Sequence, residues 1–249
     1  MTQQRKYGWV PDRVNWQDHY YAVAAPTHVD HVDRIGMDVA IDDQGQCGSC
    51  TGNSTTAAIE IVTKSPPLSR LMAYFLGRVP EATQDVDAGA MISDVIAGIQ
   101  QYGIAQESLW PYDVTKFAER PSLDAFADAR SLPPKIKAYQ RVPSLAALKN
   151  ALVAGLPVVF GFSVPEYFES DAVAATGWVR VPYQTDRMIG GHAVVAVGYD
   201  DRTATPFIWV RNSWGLGWGV NGSGYFQMDQ RWFSDPRRLT DDMWAILPA

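Results

Sequence analysis

Asp43 to Cys50, DQGQCGSC, holds both cysteines of a 249-residue chain, three residues apart. Such a pair has three chemical readings: a C-x-x-C redox couple, half of a metal site, or one nucleophile beside a bystander thiol. The neighbouring sequence weighs on the choice. From 49 to 62 the pattern suggests a helix, with Ser49 near its N-cap and Ala57, Ala58, Ile59 and Ile61 available for burial. Cys50 then sits in the first turn, where the positive end of the helix dipole favours a thiolate. Gly45 and Gly48 let the chain turn tightly around it. A redox couple calls for a thioredoxin-like βαβ context, and the sequence offers none.

Outward from this stretch, further helices are expected over 68–77, after Pro66 and Pro67, over 90–102 with Gly103 closing it, and behind Ser144 in LAALKNALVAG. The second half changes character. Segments 158–164, 192–200, 207–214 and 224–228 are rich in β-branched and aromatic residues, with Gly and Asp between them. Helices first and strands later, without strict alternation, predict an α+β fold with a helical part over about 47–135 and a strand-rich part over about 136–249. A cleft between two such halves is a natural site. Residues 1–30 differ: they are polar and aromatic-rich and lack clear periodicity, which suggests an extension ordered by docking.

Hydrophobic residues make up 47% and aromatics 12%, enough for a sizeable core. The net charge of −6 excludes a basic footprint for nucleic acid. The longest apolar runs fall far below the roughly 20 residues of a membrane span. The N-terminus shows no apolar signal region, so the default expectation is cytoplasmic, with secretion by another route left open.

Four histidines are present: His19, His28, His31 and His192. HVDH (28–31) with CGSC (47–50) supplies four plausible zinc ligands, the stronger rival to a nucleophile. Beyond residue 31, however, His192 is the one imidazole available, at the start of a strand in GGHAVVAVGYD. Twenty residues later, RNSWGLGWG carries Asn212. Neighbouring antiparallel strands would set Asn212 beside His192. A cysteine nucleophile needs a base and a group that orients the base, and Cys50, His192 and Asn212 meet that need by residue type.

DQGQCGSC, GGHAVVAVGYD and RNSWGLGWG, with QYGI, WPYD and GYFQM around them, resemble the papain-like cysteine peptidases over most of residues 32–249. The start YGWVPDR and the GSCT run are most similar to that family's prokaryotic branch. The resemblance implies a helical left subdomain, a barrel-like right subdomain, and endopeptidase chemistry without cofactor or metal. It makes Cys50 the nucleophile, His192 the general base and Asn212 its orienting amide. Gln44, with the Cys50 backbone N–H, becomes the oxyanion hole, and Trp214 the indole shielding the Asn–His contact. A resting thiolate–imidazolium pair is expected. Substrate backbone would pair along Ala88, Gly89 and Ala90. Met91, Ile92, Val158, Gly190 and Asp241 would surround the pocket for the substrate residue second before the cut, with Asp241 at its base, and Gly191, just before His192, would also bind substrate. Ala90 stands where relatives carry Gly and would narrow the cleft slightly. Cys47, whose counterpart in many relatives joins a disulfide, has no partner here and is expected as a free, packed thiol. Residues 1–30 are either a belt without regulatory part or a short prosegment covering the cleft, and residues 31–249 the peptidase domain. Peptides or proteins are the expected partners of a monomer. A catalytically silent peptide binder and a Cys/His zinc protein are the alternatives.

Overall fold

A computed structural model describes residues 5–22, 29–131 and 136–248. His28 lies outside them. Helix α1 (Cys50–Thr63) begins at the nucleophile candidate itself and is buried along nearly its whole length. It is therefore the central helix rather than an amphipathic surface one. Helix α2 (Arg70–Arg78) starts one residue after Ser69, whose hydroxyl accepts the Met72 amide. Helix α3 (Ile92–Tyr102) ends on Gly103 at φ 77°. It begins two residues later than expected because Ala90 is held extended by other bonds, described below. Helix α4 (Leu123–Ser131) packs outside α3. Helix α5 (Leu145–Val153) is capped by Ser144, as its sequence implied, and a short α6 (Asp171–Thr176) follows further along the chain.

Eight strands among the described residues form one sheet: β1 (His31–Val32), β2 (Ile136–Arg141), β3 (Val158–Pro165), β4 (Trp178–Val179), β5 (Met188–Asp200), β6 (Phe207–Arg211), β7 (Tyr225–Asp229) and β8 (Thr240–Pro248). The order is β2-β8-β3-β5-β6-β7-β4, with β1 on β5. All pairings are antiparallel except β4 with β7. Along β3 the side chains alternate faces. Val159 joins the core shared with α1, α2 and α3, whereas Val158, Phe160 and Phe162 join a second core with α5. Strand β5 carries residues to both cores and is buried from His192 to Tyr199. Helix α1 packs against β5, and that contact brings the first quarter of the chain to His192.

Candidate active site

Cys50 is the first residue of α1 and has no exposed surface. Its sulfur accepts hydrogen bonds from the backbone amides of Ala193 and Gly8. Ala193 directly follows His192 in β5. His192 Nε2 lies 2.8 Å from Asn212 Oδ1. That oxygen also accepts the Ser213 N–H at 2.9 Å, which identifies it as an acceptor. His192 therefore donates from Nε2 and keeps a lone pair on Nδ1, a buried nitrogen without a hydrogen-bond partner among the described residues. A neutral imidazole in this tautomer is a ready base. Trp214 stacks on the imidazole at 5.2 Å and 29°. Both rings are buried, so the His–Asn bond is closed to water.

Gln44 is also fully buried. Its Oε1 accepts the Ser213 hydroxyl at 2.6 Å, and its Nε2 donates to Cys47 O at 3.0 Å. The same Nε2 donates to the carbonyl of Lys6 at 3.1 Å. A peptide carbonyl thus accepts the donor that the sequence reading reserved for an oxyanion.

That carbonyl belongs to an extended strap, residues 5–10, which lies in the cleft. Ala90 donates to Gly8 O at 2.8 Å, Val10 to Ala90 O at 3.1 Å, and Trp9 to Gly191 O at 3.0 Å. The strap runs parallel to the chain at Ala90. Gly8 passes so close to Gly48 that an added Cβ would stand 1.7 Å from its carbonyl oxygen, so only glycine fits there. Tyr7 packs edge-on to His192 and donates its hydroxyl to Glu169 at 2.5 Å. Arg5 lies over the Trp214 ring at 5.0 Å.

Burial beneath this strap works against the expected charge state. Desolvation pushes the Cys50 thiol up to about 11, against the pull of its amide donors. Desolvation also lowers His192 to about 4, against the Asn212 hydrogen bond. Burial thus disfavours the charged form of each group and works against the thiolate–imidazolium pair expected from the sequence.

The remaining sequence candidates sort as follows. Gly89, Ala90, Gly190 and Gly191 line the strap, and a Cβ on Gly190 or Gly191 would strike Tyr7 or Trp9. The Ala90 methyl points toward Gly77 of α2, so it does not narrow the cleft. Met91 caps α3 and is mostly buried, and Ile92 lies wholly within the helical core. Val158 faces the other core, and the alternation of β3 puts Gly161 at the cleft instead, where a Cβ would fall 2.0 Å from the Trp9 ring. Asp241 turns outward to Arg238 at 2.8 Å. The neighbouring Asp242 instead faces the strap, and its Oδ2 accepts the Trp9 indole N–H at 3.1 Å.

Asp242 belongs to a buried cluster that the sequence did not signal. Arg141 meets Asp12 at 3.3 Å, Asp18 at 2.8 Å and Asp242 at 3.2 Å. Asp12 and Asp18 come from the N-terminal extension. Burial and the neighbouring Asp242 push the Asp12 carboxyl up to about 6. Cys47 is a buried free thiol, raised to about 11 by burial and by Asp87. His31 lies in β1 opposite Asp200, and no group of three or more His, Cys, Asp or Glu among the described residues is placed to hold a metal.

Comparison with known proteins agrees with this geometry. The profile described as "Papain family cysteine protease" matches residues 25–235. The peptidase C1-like protein L477 of Acanthamoeba polyphaga mimivirus is 38% identical over 221 residues, 82% of this chain and 68% of the relative. Cysteine proteinase 1 of Entamoeba histolytica is 31% identical over 82% of this chain and 64% of its own length. The thiol protease SEN102 of Hemerocallis is 34% identical over 81% of this chain. The chain thus spans 54 to 68% of the length of these three curated relatives. Among solved structures, xylellain, a cysteine protease from Xylella fastidiosa, superposes with a TM-score of 0.89 at 32% identity, covering 100% of this chain and 99% of that one. Digestive procathepsin L 3 of Tenebrio molitor shares the fold at a TM-score of 0.71 and 20% identity.

Proposed function

Because the chain belongs to the papain family of cysteine proteases, we propose that Cys50 and His192 cleave internal peptide bonds through an acyl-enzyme and that residues 5–10 restrain them. His192 Nδ1 takes the Cys50 proton, and the sulfur adds to the scissile carbonyl. Negative charge on the carbonyl oxygen is met by Gln44 Nε2 and the Cys50 backbone N–H. As the C–N bond breaks, His192 returns the proton to the leaving amine. Water, deprotonated by the same nitrogen, then adds to the thioester and releases the acid and the thiol. Asn212 keeps the ring in the tautomer that permits both transfers.

One observation carries the reading: a peptide carbonyl, that of Lys6, is already bonded to Gln44 Nε2 with its chain paired along Ala90 and Gly191. The same bonds support the restraint, since substrate must displace the strap to reach Cys50. No helix among the described residues is long and apolar enough to cross a membrane. The two buried free thiols fit a reducing compartment such as the cytoplasm.

The test is labelling of the full-length protein with a peptidyl electrophile, mapped by mass spectrometry. Labelling at Cys50, lost in His192→Ala and accompanied by cleavage within a peptide library, is expected. Labelling without any cleavage would favour the peptide-binding alternative.

A further inference from the structure

The side-chain amide of Gln44 needs something to aim it. Its Nε2 donates to Cys47 O at 3.0 Å and to the Lys6 carbonyl at 3.1 Å. The two hydrogens of an amide nitrogen lie in one plane, so the bond to Cys47 O sets where the other hydrogen points. The aim of the donor therefore depends on the Cys47–Gly48 peptide. That peptide is held from its other side, because the Gly48 N–H donates to the two oxygens of Asp87 at 3.0 and 3.1 Å. A peptide unit is planar, so fixing its N–H also fixes its C=O. Tyr112 holds the loop elsewhere, donating to Gln44 O at 2.9 Å and bonding the Ser49 hydroxyl.

Asp87 is itself anchored, its side chain only 8% exposed. Tyr74 of α2 donates its hydroxyl to Oδ1 at 2.5 Å and accepts the Gly89 N–H at 3.0 Å. The Cys47 thiol lies 3.8 Å from Oδ1, and Lys6 Nζ of the strap 2.5 Å from Oδ2. Burial alone would raise this carboxyl, but the bonds from Lys6, Tyr74 and Gly48 outweigh it and hold it below the usual carboxylate range. When the strap leaves, Lys6 goes with it, and the bonds to Tyr74 and Gly48 remain.

We propose that Asp87 is a positioning residue for the oxyanion hole: it orients the Cys47–Gly48 peptide, whose carbonyl aims Gln44 Nε2 at the reacting carbonyl. The inference rests on the peptidase reading above. Asp87 touches neither substrate nor a reacting atom. Without it the Gly48 N–H is left unpaired beneath the cleft, and the peptide turns toward another acceptor. Its carbonyl then leaves Gln44, whose amide loses its fixed direction.

The experiment measures kcat/KM on a fluorogenic peptide beside the second-order rate of Cys50 alkylation by iodoacetamide, in full-length protein. Loss of Asp87 also frees Lys6 and loosens the strap, which raises both rates together. Alkylation forms no oxyanion, so the ratio of the two rates reads the oxyanion hole apart from opening. Asp87→Ala should lower that ratio by about 10- to 100-fold, as misaimed groups do. In a Gln44→Ala background the same change should lower it by less than about threefold, because the group it aims is gone. Asp87→Asn keeps an acceptor for Gly48 and should restore most of the ratio. Tyr74→Phe frees Asp87 from one anchor, and a smaller loss with the same dependence on Gln44 is expected. That variant carries the test should Asp87→Ala fail to fold. A ratio unchanged by these substitutions, or one that falls equally with and without Gln44, overturns the proposal while leaving the peptidase intact. Absence of cleavage by the unaltered protein and by Trp9→Ala, with no labelling of Cys50 by a peptidyl electrophile, overturns the peptidase reading itself.

Discussion

Replacing Trp9 by alanine should release the strap and expose the active site. The indole is the strap's largest anchor. It fills the space above Gly161 and Gly191, where a Cβ would come within 2.0 and 2.7 Å of the ring, and it donates to Asp242 at 3.1 Å. A fully buried Trp→Ala change costs about 3–5 kcal/mol. Trp9 is half-buried, so the lower end applies, about 3 kcal/mol. Asp242 keeps the Asp12 N–H at 2.7 Å and Arg141 at 3.2 Å, so no orphaned charge adds to the cost. Three kcal/mol shifts the open fraction by roughly 10²-fold, with a ceiling once the strap is mostly open. The assay is the second-order rate of Cys50 alkylation by a peptidyl electrophile in full-length protein, read beside initial rates on a fluorogenic peptide. Both should rise together. In the variant the thiol also escapes the desolvation that holds it near 11, so alkylation should reach its plateau at lower pH. A rise of less than about threefold, in a protein that keeps its fold by circular dichroism, would refute the view that this indole closes the site.

Three other expectations follow from the geometry. Gln44→Ala removes one oxyanion donor and should lower kcat by about 10²–10³ with little change in KM. Asn212→Ala frees the imidazole to turn away from Cys50, and a roughly 10²-fold loss in kcat is expected in steady-state rates, with Cys50 still present by mass. Strap closure should weaken as pH rises. Asp12 sits at about 6 when docked against an ordinary 3.8, so the closed state holds an extra proton: the stabilisation is complete below 3.8 and is lost as pH rises through 6. Hydrogen-exchange protection at the Trp9 and Val10 amides should therefore fall across that interval and become flat in Asp12→Asn; an unchanged pH response in that variant would place the linkage elsewhere.

The chemistry was legible in the sequence because it is concentrated. One imidazole beyond residue 31, one cysteine at a helix start and one asparagine after the next strand left few ways to assemble a base and a nucleophile. The pocket was harder, because its residues depend on strand phase. Asp242 adopts φ 52°, a left-handed conformation within β8, and the pairing of β3 with β8 slips between Val159 and Gly161. The left-handed residue sets Asp242 rather than Asp241 against Trp9, while the alternation of β3 sets Gly161 rather than Val158 there. Strands β2 and β8 went unread as well, since IKAYQR and TDDMWAILP carry polar residues whose partners lie over a hundred positions away. The strap's role rests on long-range contacts too: Lys6 with Asp87, Tyr7 with Glu169 and Trp9 with Asp242.

The covered site also explains how one short segment can silence a nucleophile without distorting it. The pair holds one proton whether it is thiol and imidazole or thiolate and imidazolium. Moving that proton from sulfur to nitrogen changes charge separation, not proton number. The strap acts on that separation alone. It removes water from Cys50 and His192, and the charged arrangement becomes the expensive one, as the raised thiol and the lowered imidazole both record. Near neutral pH the catalytic pair therefore contributes no net proton uptake to closing. What pH dependence closure has comes instead from carboxylates that touch the N-terminal segment: Asp12 and Asp242, raised by burial beside Arg141, and Asp87, lowered by Lys6. The nucleophile's ionisation and the strap's release are thus governed by separate groups, and a variant at Asp12 can alter the second while the His192–Asn212 bond, on another part of the sheet, keeps the imidazole aligned for the first.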